Sequence, residues 1–445
     1  LPIFVWALTA AYALIFTLLG AWRYAVHRNL VDFGIFAQTI AGAFGCFCNA
    51  VEGNHWAYHF SPILYVAGVL LRIAPSPYTI VAIQACACAL TIPPVYGIVA
   101  RHAGAGAARF AAVVVFLYPP LAGLTFNDFH ENGFAPAAVA WMLWAFDGDY
   151  LVAAALLALV VLAIKEDQAA FLAVAGAIGA WRYRGSRRGR LSLSIGIVSV
   201  LVFVGFFAVI QPAFREHWSP ARFYAWDAHD AAALFPGGIL ERLGFFVLAF
   251  APLAFLPFRS RMIWLAAAPL AEVLLSRNST TFTIGSHYAG AWIGYVLVAF
   301  AFALRELELS RAAVALRWCA ALCVLELLVA DPLHPGLNLR PLQPRDRALD
   351  AALARVPHDV PLATQEEAYT HLALNDPDAG LLPEFADRRV CTPLVLIDTA
   401  FPASARLEEY GQTLRELVQR RVYVLLERRG DVELYRRTQP CLYRE

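Results

Sequence analysis

Long apolar runs recur through the first 330 residues of this 445-residue chain. They lie at 1–21, 78–100, 106–124, 133–146, 150–164, 168–181, 191–211, 241–257, 262–276, 289–304 and 312–330. A membrane-spanning helix needs about 20 predominantly apolar residues, so these eleven runs predict a mainly α, polytopic membrane protein. Composition agrees, with 60% of residues hydrophobic and 16% charged, whereas soluble domains run at roughly 45–50% and about 25%. That excludes an ordinary soluble enzyme, a disordered chain and a nucleic-acid binder, and a net charge of +1 names no partner. The first run carries no cleavage-site signature and reads as a span, not a signal peptide.

One further apolar run, 61–73, has 13 residues and is too short to cross comfortably. Charge distribution decides its place. Twelve arginines (Arg101, Arg109, Arg182, Arg184, Arg187, Arg188, Arg190, Arg259, Arg261, Arg305, Arg311 and Arg317) fall in one set of alternate loops, and four basic residues (Lys165, Arg215, Arg222 and Arg277) in the other. Positive charge favours the cytoplasmic side. This predicts a cytoplasmic N-terminus, one external loop over 24–77 with 61–73 lying on the membrane surface, and an extracytoplasmic tail in the cell membrane.

The tail, 331–445, opens on a Pro-rich linker and then alternates candidate strands (360–363, 393–398, 422–427, 432–435) with candidate helices (345–355, 366–374, 406–420). That pattern predicts a small α/β domain, and no phosphate-binding glycine loop or nucleophile elbow occurs in it. The domain reading is therefore 1–330 for the membrane part and 331–445 for the tail. Cys86, Cys88, Cys319 and Cys323 sit in apolar stretches and read as packing residues. Cys391 and Cys441 lie in the polar tail and could pair there in an oxidising compartment.

Charges that interrupt membrane segments need a reason, because hydrocarbon tolerates them poorly. Under this topology they gather on the external side: Asp32, His59, Asp128, His130, Glu131, Lys165-Glu166-Asp167 and His287-Tyr288. Lys165 is the single lysine among 35 basic residues. The runs on either side of it are about 15 and 14 residues, or roughly 22 Å and 21 Å of helix, so their turn should lie below the outer surface. Three adjacent charges there call for a water-filled cavity, a polar ligand or mutual pairing. Asp128 and His130 can bind a divalent cation or close a hydrogen-bonded loop. Asp32 precedes an amphipathic run and could simply cap it.

The strings Asp32-Phe33-Gly34-Ile35-Phe36, His59-Phe60-Ser61-Pro62-Ile63-Leu64, Asp128-Phe129-His130-Glu131, Lys165-Glu166-Asp167, Ala363-Thr364-Gln365 and His371-Leu372-Ala373 resemble a "domain of unknown function" family of bacterial and archaeal polytopic proteins. The wider layout, a first span, a long external loop with an early Asp and then short paired helices, is similar to the GT-C membrane glycosyltransferases. The resemblance implies a GT-C-like bundle of about eleven spans that uses a polyprenyl-phosphate-linked sugar. Asp32 would act as base or orient the acceptor, with His59 orienting Asp32. Lys165 would meet the lipid phosphate, with Glu131, Glu166, Asp167, His287 and Tyr288 around the substrate. Asp128 and His130 would hold a divalent cation (Mg or Mn), although His stands where the family has a second acid. A transporter or flippase for lipid-linked saccharides is the alternative, and the lack of an internal repeat disfavours it.

Overall fold

The computed structural model describes residues 1–214, 238–276, 278–357, 360–382, 392–399 and 414–440. Arg215, Arg222, Arg277, Cys391, Cys441 and residues 406–413 of the expected tail helix lie outside the described residues.

The apolar runs become helices: α1 (Ile3–Ala25), α2 (Val31–Ala41), α3 (Leu64–Ile73), α4 (Pro77–Ala89), α5 (Ile92–Leu117), α6 (Pro119–Phe126), α7 (Ala135–Asp147), α8 (Leu151–Leu162), α9 (Glu166–Arg182) and α10 (Arg187–Gly205). Further helices follow at Ile239–Phe250, Ala267–Leu275, Gly290–Ala303 and Leu309–Val329. Among the described residues five helical segments are long and apolar enough to cross a membrane: Ile3–Ala25, Pro77–Leu117, Arg187–Phe214, His287–Glu306 and Ser310–Val329. The remaining apolar helices are shorter. The expected break between runs 78–100 and 106–124 falls at Gly104, whose φ of 85° turns the chain inside α5. Only glycine enters that region without strain. Runs 241–257 and 262–276 are less regular than expected. Pro252 and Pro257 lie in short 3₁₀ turns, and Ala254 and Phe255 are left-handed between them.

By contacts the chain divides into two compact units. The first comprises Leu1–Leu19, Trp56–Val66 and Val81–His334. At its centre runs Gly290–Ala303, buried along nearly its whole length. The outward faces of α10 and Leu309–Val329 are apolar, with Leu201 and Leu328 exposed, as lipid contact requires. At one end Asp147 pairs with Arg101 and His102, and Arg188 reaches Asp149 at 2.9 Å and the Asp147 carbonyl at 3.1 Å. The Arg-bearing turns after the first half of α5 and after α9 therefore meet the acidic turn after α7 at a single end.

The second unit comprises Gly20–His55, Ala67–Ile80 and Pro335–Glu445. It combines most of the expected external loop with the tail. The tail sheet has the order β4 (Ala379–Leu381), β3 (Leu362–Thr364), β5 (Leu394–Asp398), β7 (Val432–Arg437), β6 (Tyr423–Arg429). β4, β3 and β5 are parallel, while β7 runs antiparallel to β5 and β6. Its core is Ala363, Leu382, Val395, Ile397, Leu414, Tyr423 and Tyr435. Helix α2 lies against the tail helix Glu366–Leu372. Tyr369 Oη donates to Gln38 Oε1 at 2.8 Å, and Gln38 Nε2 donates to the carbonyls of Asp376 (2.9 Å) and Ala379 (2.8 Å). A Cβ on Gly34 would sit 2.3 Å from Tyr369 Cε1, so the glycine of the Asp32–Phe36 string is there to admit the tyrosine ring. Helix α3 is 10 residues, about 15 Å. It stays far short of a bilayer, and its exposed Val69, Leu70 and Ile73 suit a position at the membrane surface.

Arg340 ties this unit together. Its guanidinium grips Asp346 through two hydrogen bonds of 2.8 and 2.6 Å and reaches the Val26 carbonyl at 2.9 Å. Burial alone would raise the Asp346 pKa, but Arg340 outweighs it and holds the carboxyl below its usual value. Asp346→Asn should cost about 2 kcal/mol, the scale of a charge-assisted hydrogen bond. Because the folded pKa is depressed, this contribution is full above pH about 4 and vanishes as pH falls through the folded value. Thermal unfolding of wild type and variant at pH 7 and in acid checks both statements.

Candidate active site

At the other end of the first unit, the turn between α8 and α9 carries Lys165-Glu166-Asp167, all nearly inaccessible at 6%, 5% and 4% exposure. Lys165 is the N-cap residue of α9, and both acids lie in its first turn, where the helix dipole favours negative charge. The Lys165 ammonium is 3.5 Å from Glu131 Oε1, and Glu131 Oε2 is 3.0 Å from His130 Nδ1. His130 stacks face to face on His287, with centroids 3.9 Å apart and planes 3° from parallel. His287 packs on Tyr288, and the Tyr288 ring centroid is 6.0 Å from Lys165 Nζ. Five residues thus close a ring: Lys165, Glu131, His130, His287 and Tyr288.

Glu166 turns the other way. Its Oε1 meets His59 Nδ1 at 2.9 Å and its Oε2 accepts from the Phe60 amide at 2.9 Å. Burial opposes the charged imidazole, but the Glu166 carboxylate overrides it and raises the His59 pKa above its usual value. The 127–130 turn is held by Gln84. Its Nε2 lies 3.0–3.3 Å from the carbonyls of Leu124, Thr125, Asn127 and Asp128, and its Oε1 accepts from the His130 amide at 2.8 Å. Asp128 is buried there at 3% exposure.

Around Lys165 many buried polar atoms have no hydrogen-bond partner among the described residues. They are both polar ends of Asn132 and of Gln168, Asp167 Oδ1 and Tyr295 Oη. A buried polar group left without a hydrogen bond costs about 1–3 kcal/mol, so so many in one place mark a site fitted for a polar ligand or ordered water.

Nine of the expected site residues, His59, Asp128, His130, Glu131, Lys165, Glu166, Asp167, His287 and Tyr288, belong to this first unit. The tenth, Asp32, belongs to the second unit and sits in the first turn of α2. The capping alternative for it fails, since the N-cap residue is Leu30. Two residues were missed. Gln84 has no sequence signal beyond being an amide in an apolar helix. Glu272, on Ala267–Leu275, is within electrostatic reach of Asp167, Lys165 and Glu166, and its signal was a lone carboxylate in the run 262–276. Among the described residues Asp128 and His130 do not belong to a set of three metal-ligating side chains. Among the described residues the one such set is His27, Asp350 and His371, in the second unit.

The sequence matches the family described as "Predicted membrane protein (DUF2079)" over residues 27–228 and 231–421. The chain belongs to the DUF2079 family. It is a multi-pass membrane protein, and comparison with curated proteins finds no match. Among solved structures it is similar to ArnT from Cupriavidus metallidurans bound to undecaprenyl phosphate, with a TM-score of 0.63 and 13% identity over 96% of this chain and 97% of that one. The apo state of ArnT gives a TM-score of 0.61 at 14% identity over the same shares. The apo oligosaccharyltransferase of Archaeoglobus fulgidus gives 0.42 at 14% identity over 88% of this chain and 69% of that one. The likeness to ArnT establishes the fold, so this DUF2079 member has the GT-C-like helical bundle with a small C-terminal sheet domain that the sequence led us to expect.

The charge ring makes a stability prediction. Removing one partner of a buried pair costs about 3–5 kcal/mol because the other charge is stranded. Glu131→Gln and Lys165→Met should each fall in that range, and the double variant should cost less than their sum by at least about 1 kcal/mol. Equilibrium unfolding in detergent measures all three.

Proposed function

We propose that the chain is a membrane glycosyltransferase of GT-C type, transferring a sugar from a polyprenyl-phosphate donor to an extracytoplasmic acceptor. The observation that carries this reading is the buried Lys165 ammonium among unpartnered polar atoms, on a fold similar to ArnT bound to undecaprenyl phosphate. A compact point charge suits a phosphate, and in a water-poor site it stabilises charge developing on the leaving group. In the inverting step the acceptor oxygen attacks the anomeric carbon, and the bond from that carbon to the phosphate oxygen breaks. The acceptor proton passes to Asp32. Lys165 receives the phosphate, while Glu131 and Glu166 keep Lys165 and His59 charged and in place. Asp128 and His130 meet the sugar or a divalent cation of the Mg or Mn class, which would supply further positive charge to the phosphate.

The decisive assay is turnover of a polyprenyl-phosphate sugar by the purified chain. Asp32→Asn should lower kcat by about 10²–10⁴, the usual worth of a positioned base, with donor binding intact. Lys165→Ala should raise the KM for donor, and Lys165→Arg should restore it only in part, since a planar fork replaces a point charge. Equal rates for wild type and Asp32→Asn would refute the base. Donor binding without turnover would favour the transporter reading.

The same proposal orients the molecule. The Arg101–Arg188 end faces the cytoplasm and the Lys165 end faces out. The Cys46–Cys48 disulfide in the 24–77 segment suits an oxidising outer compartment. Cysteines introduced into the 182–190 turn should label from the cytoplasm and those at 340–357 from outside. Labelling of both from one side would overturn the orientation.

A further inference from the structure

The second unit holds a side-chain cluster that the transferase chemistry leaves unused. His27, just past α1, is completely buried, and neither ring nitrogen makes a hydrogen bond. Its backbone is left-handed at φ 53°, a region non-glycine residues enter at a cost. The His27 ring lies 4.0 Å, centroid to centroid, from that of His371 on the tail helix Glu366–Leu372, and Tyr24 covers the other His371 face at 4.0 Å. His371 bonds to the Tyr24 backbone, while its Nε2 is buried without a partner. That bond therefore uses Nδ1 and fixes the tautomer with the Nε2 lone pair free. Asp350, on the tail helix Pro344–Leu353, brings Oδ1 to 3.1 Å from His27 Nε2, outside hydrogen-bond geometry. Ligand atoms from all three side chains lie within 4.8 Å of one another.

Mutual hydrogen bonding cannot satisfy this set. One carboxylate can take a proton from one imidazole, and the second imidazole still has a buried lone pair with nothing to accept. A single dication accepts one lone pair from each histidine and one from the carboxylate. Two neutral imidazoles and a carboxylate are the donor set of three-ligand zinc sites. A ligating histidine that donates its other N–H to a backbone carbonyl is the usual outer-shell arrangement, and His371 has it. Donor atoms at about 2.0–2.2 Å from a tetrahedral metal stand roughly 3.4 Å from one another, and those present lie within 4.8 Å, so side-chain rotations that draw the three together close the site. Asp350, with its side chain 56% exposed, leaves a route for the ion and for a water as fourth ligand.

We propose that His27, His371 and Asp350 bind one transition-metal dication of the zinc class. The ion fastens the segment after α1 to two helices of the tail domain. It is structural and separate from any cation held by Asp128 and His130.

The test uses the full chain in detergent, stripped of metal, reloaded with zinc or cobalt and desalted. Wild type should retain about one metal per chain, and the cobalt form should show the strong visible absorption of a tetrahedral site. His27→Gln and His371→Gln should lose the metal. Asp350→Asn, at an exposed position where folding is not at risk, should weaken zinc binding by about tenfold or more and lose the rise in unfolding temperature that zinc gives the wild type. Asp128→Asn should keep the metal, which separates this site from the proposed substrate site. Wild type that retains no zinc or cobalt, or Asp350→Asn with wild-type affinity, would overturn the proposal. So would metal lost in Asp128→Asn but kept in the histidine variants.

Discussion

A lysine ammonium buried at the end of an apolar bundle has to be neutralised where it stands, and the arrangement around Lys165 follows from that need. Glu131 meets it directly. Glu131 is fully buried, and its second oxygen faces His130. Glu166, next in sequence, is turned toward His59 and the Phe60 amide, which ties the 58–60 segment to α9. Gln84 fixes the turn that presents His130. Each contact restrains a different part of the chain, so one charge organises four separate stretches of sequence.

The second unit obeys a different logic. Its helix α2 is packed on the tail domain through Gly34, Gln38 and Tyr369. In the Asp32–Phe36 string Gly34 is required by packing, while Asp32 lies in the first turn of α2, past its N-cap residue Leu30. Arg340 adds a second tie between Val26 and Asp346.

Much of this was legible beforehand because membrane helices announce themselves by composition. The runs at 1–21, 133–146, 150–164, 168–181, 289–304 and 312–330 became helices within a few residues of their expected limits. Hydropathy was blind to backbone breaks inside apolar sequence. It could not show that Pro252 and Pro257 lie in 3₁₀ turns, or that α4 ends at Ala89 within the run 78–100. In the tail, β5 was found because Leu394–Asp398 is apolar and β-branched, whereas β4, Ala379–Leu381, was missed because three small or apolar residues carry no alternation. Among site residues, charged side chains stood out against an apolar background. Gln84 did not, since an amide reveals its role only through the carbonyls it meets. His27 and Asp350 went unremarked because partners more than 300 residues apart share no local pattern.

Helix α8 has 12 residues, about 18 Å along its axis, and it shows Val152, Leu156 and Leu159 outward. A hydrocarbon core about 30 Å thick cannot be matched by such a helix unless the lipid beside it thins or tilts. Hydrophobic mismatch is therefore built in at the element that leads directly into Lys165. Under the proposed function, a membrane dimpled at that point would shorten the path by which a lipid phosphate descends to the buried ammonium. The deficit in helix length would then lower the barrier to lipid entry with no moving gate.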